Sequence, residues 1–125
     1  MAADHEQRHP DRIDQVHLLV DHLFAHPPVA LQAKTAGAVE RLSVRYGIEP
    51  AAAGLHGGVC FRIDIPQSGD LLYADCIEAG VPSDGLRRTA TLPVSLDQST
   101  VLRLRTECLD SCNYAWAYWD GLELE

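Results

Sequence analysis

Apolar and polar residues alternate along most of this chain with the period of two that marks a half-buried β-strand. The clearest run is Val59, Phe61, Ile63 and Ile65, interleaved with Cys60, Arg62 and Asp64. Leu42, Val44 and Tyr46 alternate with Arg41, Ser43 and Arg45, until Gly47 and Pro50 stop the pattern. A shorter strand is predicted over 29–34, where Val29, Leu31 and Ala33 alternate with Ala30, Gln32 and Lys34. Residues 66–70, Pro-Gln-Ser-Gly-Asp, have turn composition, so 71–77 should return antiparallel to 59–65. Further strands are expected over 88–94, 100–107 and 116–124, with loops at 51–58, 78–85 and 108–113. Residues 13–26 fit two periods. Ile13, Val16, Val20 and Leu23 suit a helix face, Val16, Leu18 and Val20 suit a strand, and Pro27-Pro28 would end any helix there.

Short strands separated by turn signals indicate an all-β protein, an antiparallel β-sandwich of the jelly-roll kind. It would form one domain over 13–125, behind a polar tail at 1–12 and opening with a short helix or extended segment. Strand parity gives an inner face of Leu42, Val44, Tyr46, Phe61, Ile63, Ile65, Leu92, Val94, Leu102, Leu104, Trp116, Tyr118, Leu122 and Leu124.

At 125 residues there is material for one core and no more. The net charge of −8 argues against nucleic acid as a partner, which requires a basic surface. No apolar run approaches the roughly 20 residues of a membrane helix, and the first residues lack the apolar stretch of a leader, so a cytoplasmic chain is expected. Lys34 is the sole lysine among 10 basic residues. Five of the arginines, Arg41, Arg45, Arg62, Arg103 and Arg105, fall on outer faces by parity. If their strands are neighbours they form a basic stripe fit for a carboxylate, phosphate or anionic sugar. Otherwise they pair across strands with Asp64, Glu107 and Glu40. Trp119 points outward by the same count, where its flat indole would stack on a sugar ring or cover a sheet edge.

With the turn centred on Ser68, Cys60 stands opposite Cys76, Arg62 opposite Ala74 and Asp64 opposite Leu72. The two sulfurs would form a cross-strand disulfide or, in a reducing cytoplasm, remain paired thiols, which is the preferred reading. Cys108 and Cys112 share one loop and could also bridge. Neither pair has the two-residue spacing of a zinc ribbon. His22 and His26 would share a helix face but lack a carboxylate to complete a metal pattern, so no metal ligands are assigned. His56, beside Gly57-Gly58, is a lone candidate acid or base, and no phosphate loop, nucleophile elbow or carboxylate pair appears.

Several segments in order carry a family likeness: Leu-Phe-Ala-His-Pro-Pro (23–28), Val-Glu-Arg-Leu-Ser-Val-Arg-Tyr-Gly-Ile (39–48) and Gly-Val-Cys-Phe-Arg-Ile (58–63). They are followed by Val-Leu-Arg-Leu-Arg-Thr (101–106) and Asn-Tyr-Ala-Trp-Ala-Tyr-Trp-Asp-Gly-Leu (113–122). Over residues 16–125 the chain resembles the galactose-binding-like jelly-roll domains of carbohydrate-binding-module type that are appended to bacterial glycosidases and glycosyltransferases. The resemblance implies a sandwich whose loops or face hold sugar, sometimes a structural calcium ion, and a structural role for Trp116. The Cys108–Cys112 loop departs from the pattern, where relatives carry Gly, Asn and Asp.

The expected function is a non-catalytic module binding a carbohydrate or anionic glycan. The outer arginines would hold charge, Trp119 would stack, and His56 with the 108–113 loop would form a rim. The alternatives are a small cyclase- or isomerase-type enzyme, which would need a deep cavity, and an interaction domain that pairs with a protein or with itself.

Overall fold

The structure is a computed structural model and describes residues 12, 13, 23, 24, 27 and 29–125. The polar-tail reading of 1–11, most of the helix-or-strand reading of 13–26, and His22 and His26 lie outside the described residues.

The described strands are β1 (Arg12–Ile13), β2 (Leu23–Phe24), β3 (Val29–Lys34), β4 (Val39–Ile48), β5 (Val59–Ile65), β6 (Asp70–Ile77), β7 (Arg87–Leu96), β8 (Val101–Cys108) and β9 (Ala117–Leu124). They form two facing sheets, one in the order β1-β3-β8-β5-β6 and the other β2-β9-β4-β7. From β3 onward the chain passes repeatedly between sheets, and every pairing is antiparallel except the parallel edge contact of β1 with β3. This is the predicted sandwich.

Alternation explains what holds it together. Leu31 and Ala33 of β3, Leu42 and Val44 of β4, Phe61 and Ile63 of β5, and Leu102 and Leu104 of β8 are all buried between the sheets. Each large side chain so buried contributes about 1.5–3 kcal/mol. Ile65, Leu92 and Val94, expected in the core, are only half-buried and pack at its margin.

The expectation fails on β9. Trp119 is 2% exposed and sits in the core, whereas Trp116 is 38% exposed and precedes the strand. Across the β4–β9 ladder Arg45 faces Gly121 and Tyr46 faces Trp119, so Asp120 is an extra residue. Such a bulge reverses parity. Ala117 and Trp119 point inward before it, and Leu122 and Leu124 point inward after it. Counting back by twos from Leu124 therefore places both tryptophans on the wrong side. Tyr118 is buried, as expected, but outside the inter-sheet cluster: its phenol oxygen would lie 2.8 Å from any Cβ added at Gly47.

Trp119 completes an aromatic cluster between the sheets. Its ring centroid lies 5.7 Å from Tyr46 and 5.4 Å from Phe61, and Tyr46 lies 4.7 Å from Phe61. From this cluster the Tyr46 hydroxyl reaches the edge formed by β6 and β7. It contacts the Tyr73 hydroxyl and donates to Asp75 Oδ2 at 2.6 Å. Arg88 Nη1 donates to both Asp75 oxygens at 3.1 and 2.9 Å. A phenol of one sheet and a carboxylate of the other are thus latched together. Burial, reinforced by Asp75 and Tyr73, pushes the Tyr46 hydroxyl far above the usual phenol range, so it stays a donor.

The assignment of the two indoles is open to a direct stability test. Trp119→Ala should cost about 3–5 kcal/mol in urea unfolding, as expected for a buried indole. Trp116→Ala should stay within about 0.5 kcal/mol of the parent.

Candidate functional site

Antiparallel connectivity brings loops 49–58, 78–86 and 109–116 to one end of the sandwich. Pro50 opens the first with a turn of 3-10 helix over Pro50–Ala52, and Gly58 leaves it at φ 95°, a conformation that favours glycine. The 109–116 loop is fastened to it by backbone bonds from Leu109 N to Gly58 O at 3.1 Å and Asp110 N to Gly57 O at 3.4 Å. Gly57 permits this closeness, since a Cβ there would lie 2.9 Å from Ser111 N. A further bond, Glu49 N to Trp116 O at 2.9 Å, ties down the far end. The Cys108–Cys112 disulfide closes the near end.

On this doubly anchored loop Tyr114 has φ 56°, a left-handed conformation that non-glycine residues seldom adopt. Its ring lies 5.6 Å from that of Trp116, at 57°. Tyr114 is 46% exposed, and Leu55 and Leu109 on the same two loops are exposed as well. Asp110, Ser111 and Asn113 supply polar groups along the loop. An apolar aromatic surface framed by hydrogen-bonding groups suits a ligand with one apolar face and a polar rim.

Of the candidates named from the sequence, the 108–113 loop and His56 lie at this end, and Trp119 and the arginines fall elsewhere. Trp119 belongs to the core. His56 is in the right loop but is 3% exposed, so it is no rim acid or base. Its Nδ1 accepts from Gly58 N at 3.0 Å, leaving the proton on Nε2, and burial lowers its affinity for a second proton. It braces the loop from beneath. Tyr114 was not among the candidates, and Trp116 was assigned to the core. The one local hint was Gly121, an interior strand glycine of the kind that accompanies bulges.

The arginine stripe divides between the sheets. Arg41 and Arg45 lie on β4, while Arg62, Arg103 and Arg105 lie on β5 and β8 of the other sheet. Each is paired. Arg103 donates to Asp64 at 3.1 and 2.8 Å, Arg105 lies 3.3 Å from the same carboxylate, and Arg62 pairs with Glu107. Arg41 pairs with Glu125 rather than Glu40, and Arg45 lies 3.9 Å from Asp120. The Arg103 hydrogen bond, helped by Arg105, holds the Asp64 carboxyl below its ordinary range despite burial. Cross-strand compensation, not an uncovered stripe, describes these faces.

Cys60 faces Cys76 and Arg62 faces Ala74 as expected, but a register shift beyond Ile63 sets Asp64 against Leu71 instead of Leu72. Both cysteine pairs are disulfides, which replaces the reading as thiols: side chains directly opposite, or in one tight loop, lie within bridging reach. Among the described residues no group of three or more His, Cys, Asp or Glu side chains converges to hold a metal.

The burial of His56 has a pH signature. In the unfolded chain its imidazole protonates near 6.5, and in the fold only at lower pH. The unfolded state thus binds more protons below that value, and stability is lost as pH falls. The melting temperature should drop between about pH 7 and about pH 5, and His56→Gln should flatten that segment. Parallel profiles for the two proteins would show that His56 protonates as readily in the fold as in the unfolded chain.

No protein-family model matches the sequence, and no curated protein matches it. Solved structures match in fold. The chain is similar to the CBM51-2 and INT domains of Clostridium perfringens ZmpB, solved with GlcNAc, at 15% identity and TM-score 0.60 over 87% of this chain and 25% of that one. It is similar to CBM51 from Clostridium perfringens GH95, solved with methyl-galactose, at 10% identity and TM-score 0.60 over 88% of this chain and 80% of that one. Tandem CBM51 modules of the family 98 glycoside hydrolase Sp3GH98 from Streptococcus pneumoniae SP3-BS71 match at 12% identity and TM-score 0.57, over 86% of this chain and 36% of that one. This chain therefore spans 25% of the ZmpB chain and most of the GH95 module. Identities this low speak to architecture alone. The chain has the β-sandwich fold of the CBM51 carbohydrate-binding modules.

Proposed function

We infer that this chain is a non-catalytic carbohydrate-binding domain that holds a neutral sugar on its end loops. The observation that carries the reading is the exposed Tyr114–Trp116 pair, presented on a loop anchored at both ends. The aromatic faces take the C–H face of a pyranose, and the polar groups of the 109–113 stretch take its hydroxyls. Because the loop is fixed before the ligand arrives, little ordering cost is left to binding. The sugars named for the structures of like fold, GlcNAc and methyl-galactose, are the first ligands to try.

Depressions of about 170, 230 and 260 Å³ in the described surface are open to solvent and lie away from the end loops. A pocket for a small-molecule reaction more often holds roughly 300–1,000 Å³ in an enclosed, apolar site. Leu55 and Leu109, exposed on the same end loops, favour one second reading, in which this end docks a protein or another copy of this chain. Concentration-dependent sedimentation would reveal the self-associating form.

The sugar reading is tested by fluorescence titration with GlcNAc and methyl-galactose. Trp116 is the exposed indole and Trp119 the buried one, so a binding signal should vanish in Trp116→Ala. Affinity should fall at least about tenfold there and in Tyr114→Ala, with melting temperatures near the parent's. Binding that survives both substitutions would remove the end loops from the ligand site.

A further inference from the structure

We propose that the outer face of the β9-β4-β7 sheet holds a second, separate site for the hydroxyls of a neutral sugar. The register places six outward positions in two rows of three: Glu123, Ser43 and Thr91, then Gly121, Arg45 and Thr89. They line an open depression of about 170 Å³. Neighbouring strands lie about 4.8 Å apart and the rows about 7 Å apart, an area suited to one or two sugar rings.

The depression is built by two features. Gly121 has no side chain, and the Arg45 guanidinium lies across it, with Nη2 at 2.7 Å from where a Cβ would stand. Ion pairs wall both ends, Arg41 with Glu125 beyond the first row and Arg87 with Asp120, at 2.8 Å, beyond the second. Asp120 is thus engaged by Arg87, and Arg45 reaches it only at 3.9 Å. The Arg45 side chain, held to Asp120 only by this longer ion pair and 44% exposed, lines the depression, where its other donors can meet a ligand.

The mixture of groups selects the ligand class. Arg45 donates, the Glu123 carboxylate accepts, and the Thr89 and Thr91 hydroxyls do either. Ser43 and Thr91 already share a hydrogen bond at 3.1 Å, so one of their hydroxyl protons is committed between them. A polyol both donates and accepts and can satisfy every group. A free anion would satisfy Arg45 but be repelled by Glu123 and Asp120. The bland alternative is a solvated sheet face, and it predicts no saturable response.

The test uses amide chemical shifts of the full chain, titrated to on the order of 10 mM with GlcNAc or methyl-galactose, and with glucuronate as the anionic comparison. With at least one neutral sugar the amides of Ser43, Arg45, Thr89, Thr91 and Gly121 should shift saturably. Arg45→Ala should weaken that response about tenfold while leaving shifts at 113–116 unchanged. Gly121→Ala should do the same, because the new methyl displaces a flexible guanidinium rather than backbone. No saturable shift on the sheet face, tighter binding of glucuronate than of the neutral sugars, or binding that survives both variants would each overturn the proposal. Shifts at the loops alone would overturn it and leave the end-loop site standing. Shifts at the sheet alone would support it and remove the end-loop site.

Discussion

One extra residue in β9, Asp120, governs much of this molecule. Without it Trp119 and Leu122 could not both face inward, since residues three apart in a regular strand point to opposite sides. The bulge lets Trp119 join Tyr46 and Phe61 between the sheets while Leu122 and Leu124 continue the same face. It also turns the Asp120 carboxylate outward to Arg87 and sets Gly121 beneath Arg45. Core packing and the chemistry of the outer face are therefore joined at one point of the backbone. A deletion there would invert half a strand.

The charge arrangement follows a simpler rule. An acidic chain keeps Arg41, Arg62 and Arg103 by giving each a carboxylate on a neighbouring strand or at a strand end. Arg62 and Arg105 stand directly opposite each other, an arrangement that repulsion would penalise. Asp64 takes Arg103 and Arg105 together, and Glu107 takes Arg62. Partly exposed pairs of this kind contribute little individually. Their larger effect is to remove the alternatives in which one arginine faces another unscreened.

How far the sequence discloses this depends on the range of the interaction. Alternation over 59–65 and 41–46, turn composition at 66–70 and the Cys60–Cys76 register are local and were legible. The arginine stripe required β4 to neighbour β5 or β8, and strand order is set by packing far along the chain. The two tryptophans exchanged roles because a bulge leaves only an interior glycine as its local trace, and a count by twos passes over it. The aromatic pair at 114 and 116 was hidden for the same reason: its exposure is decided by where β9 begins. His56 looked like a loop histidine and proved to be a buried brace, since nothing nearby in sequence reports that Gly58 bends back to it.

The latch of Tyr46, Asp75 and Arg88 has a consequence for how the protein behaves among copies of itself. β6 and β7 each end a sheet, and an unpaired strand edge is a template on which another chain can add. Inward-pointing charge is one of the devices that makes such an edge inhospitable, because an added strand would have to bury it. Asp75 on one edge and Arg88 on the other supply it at neighbouring places, and Pro93, a residue sheets admit at their edges, lies further along β7. An incoming strand would disturb a carboxylate and a guanidinium already satisfied by each other. What binds the two sheets together thus also makes these two edges poor templates for a further strand.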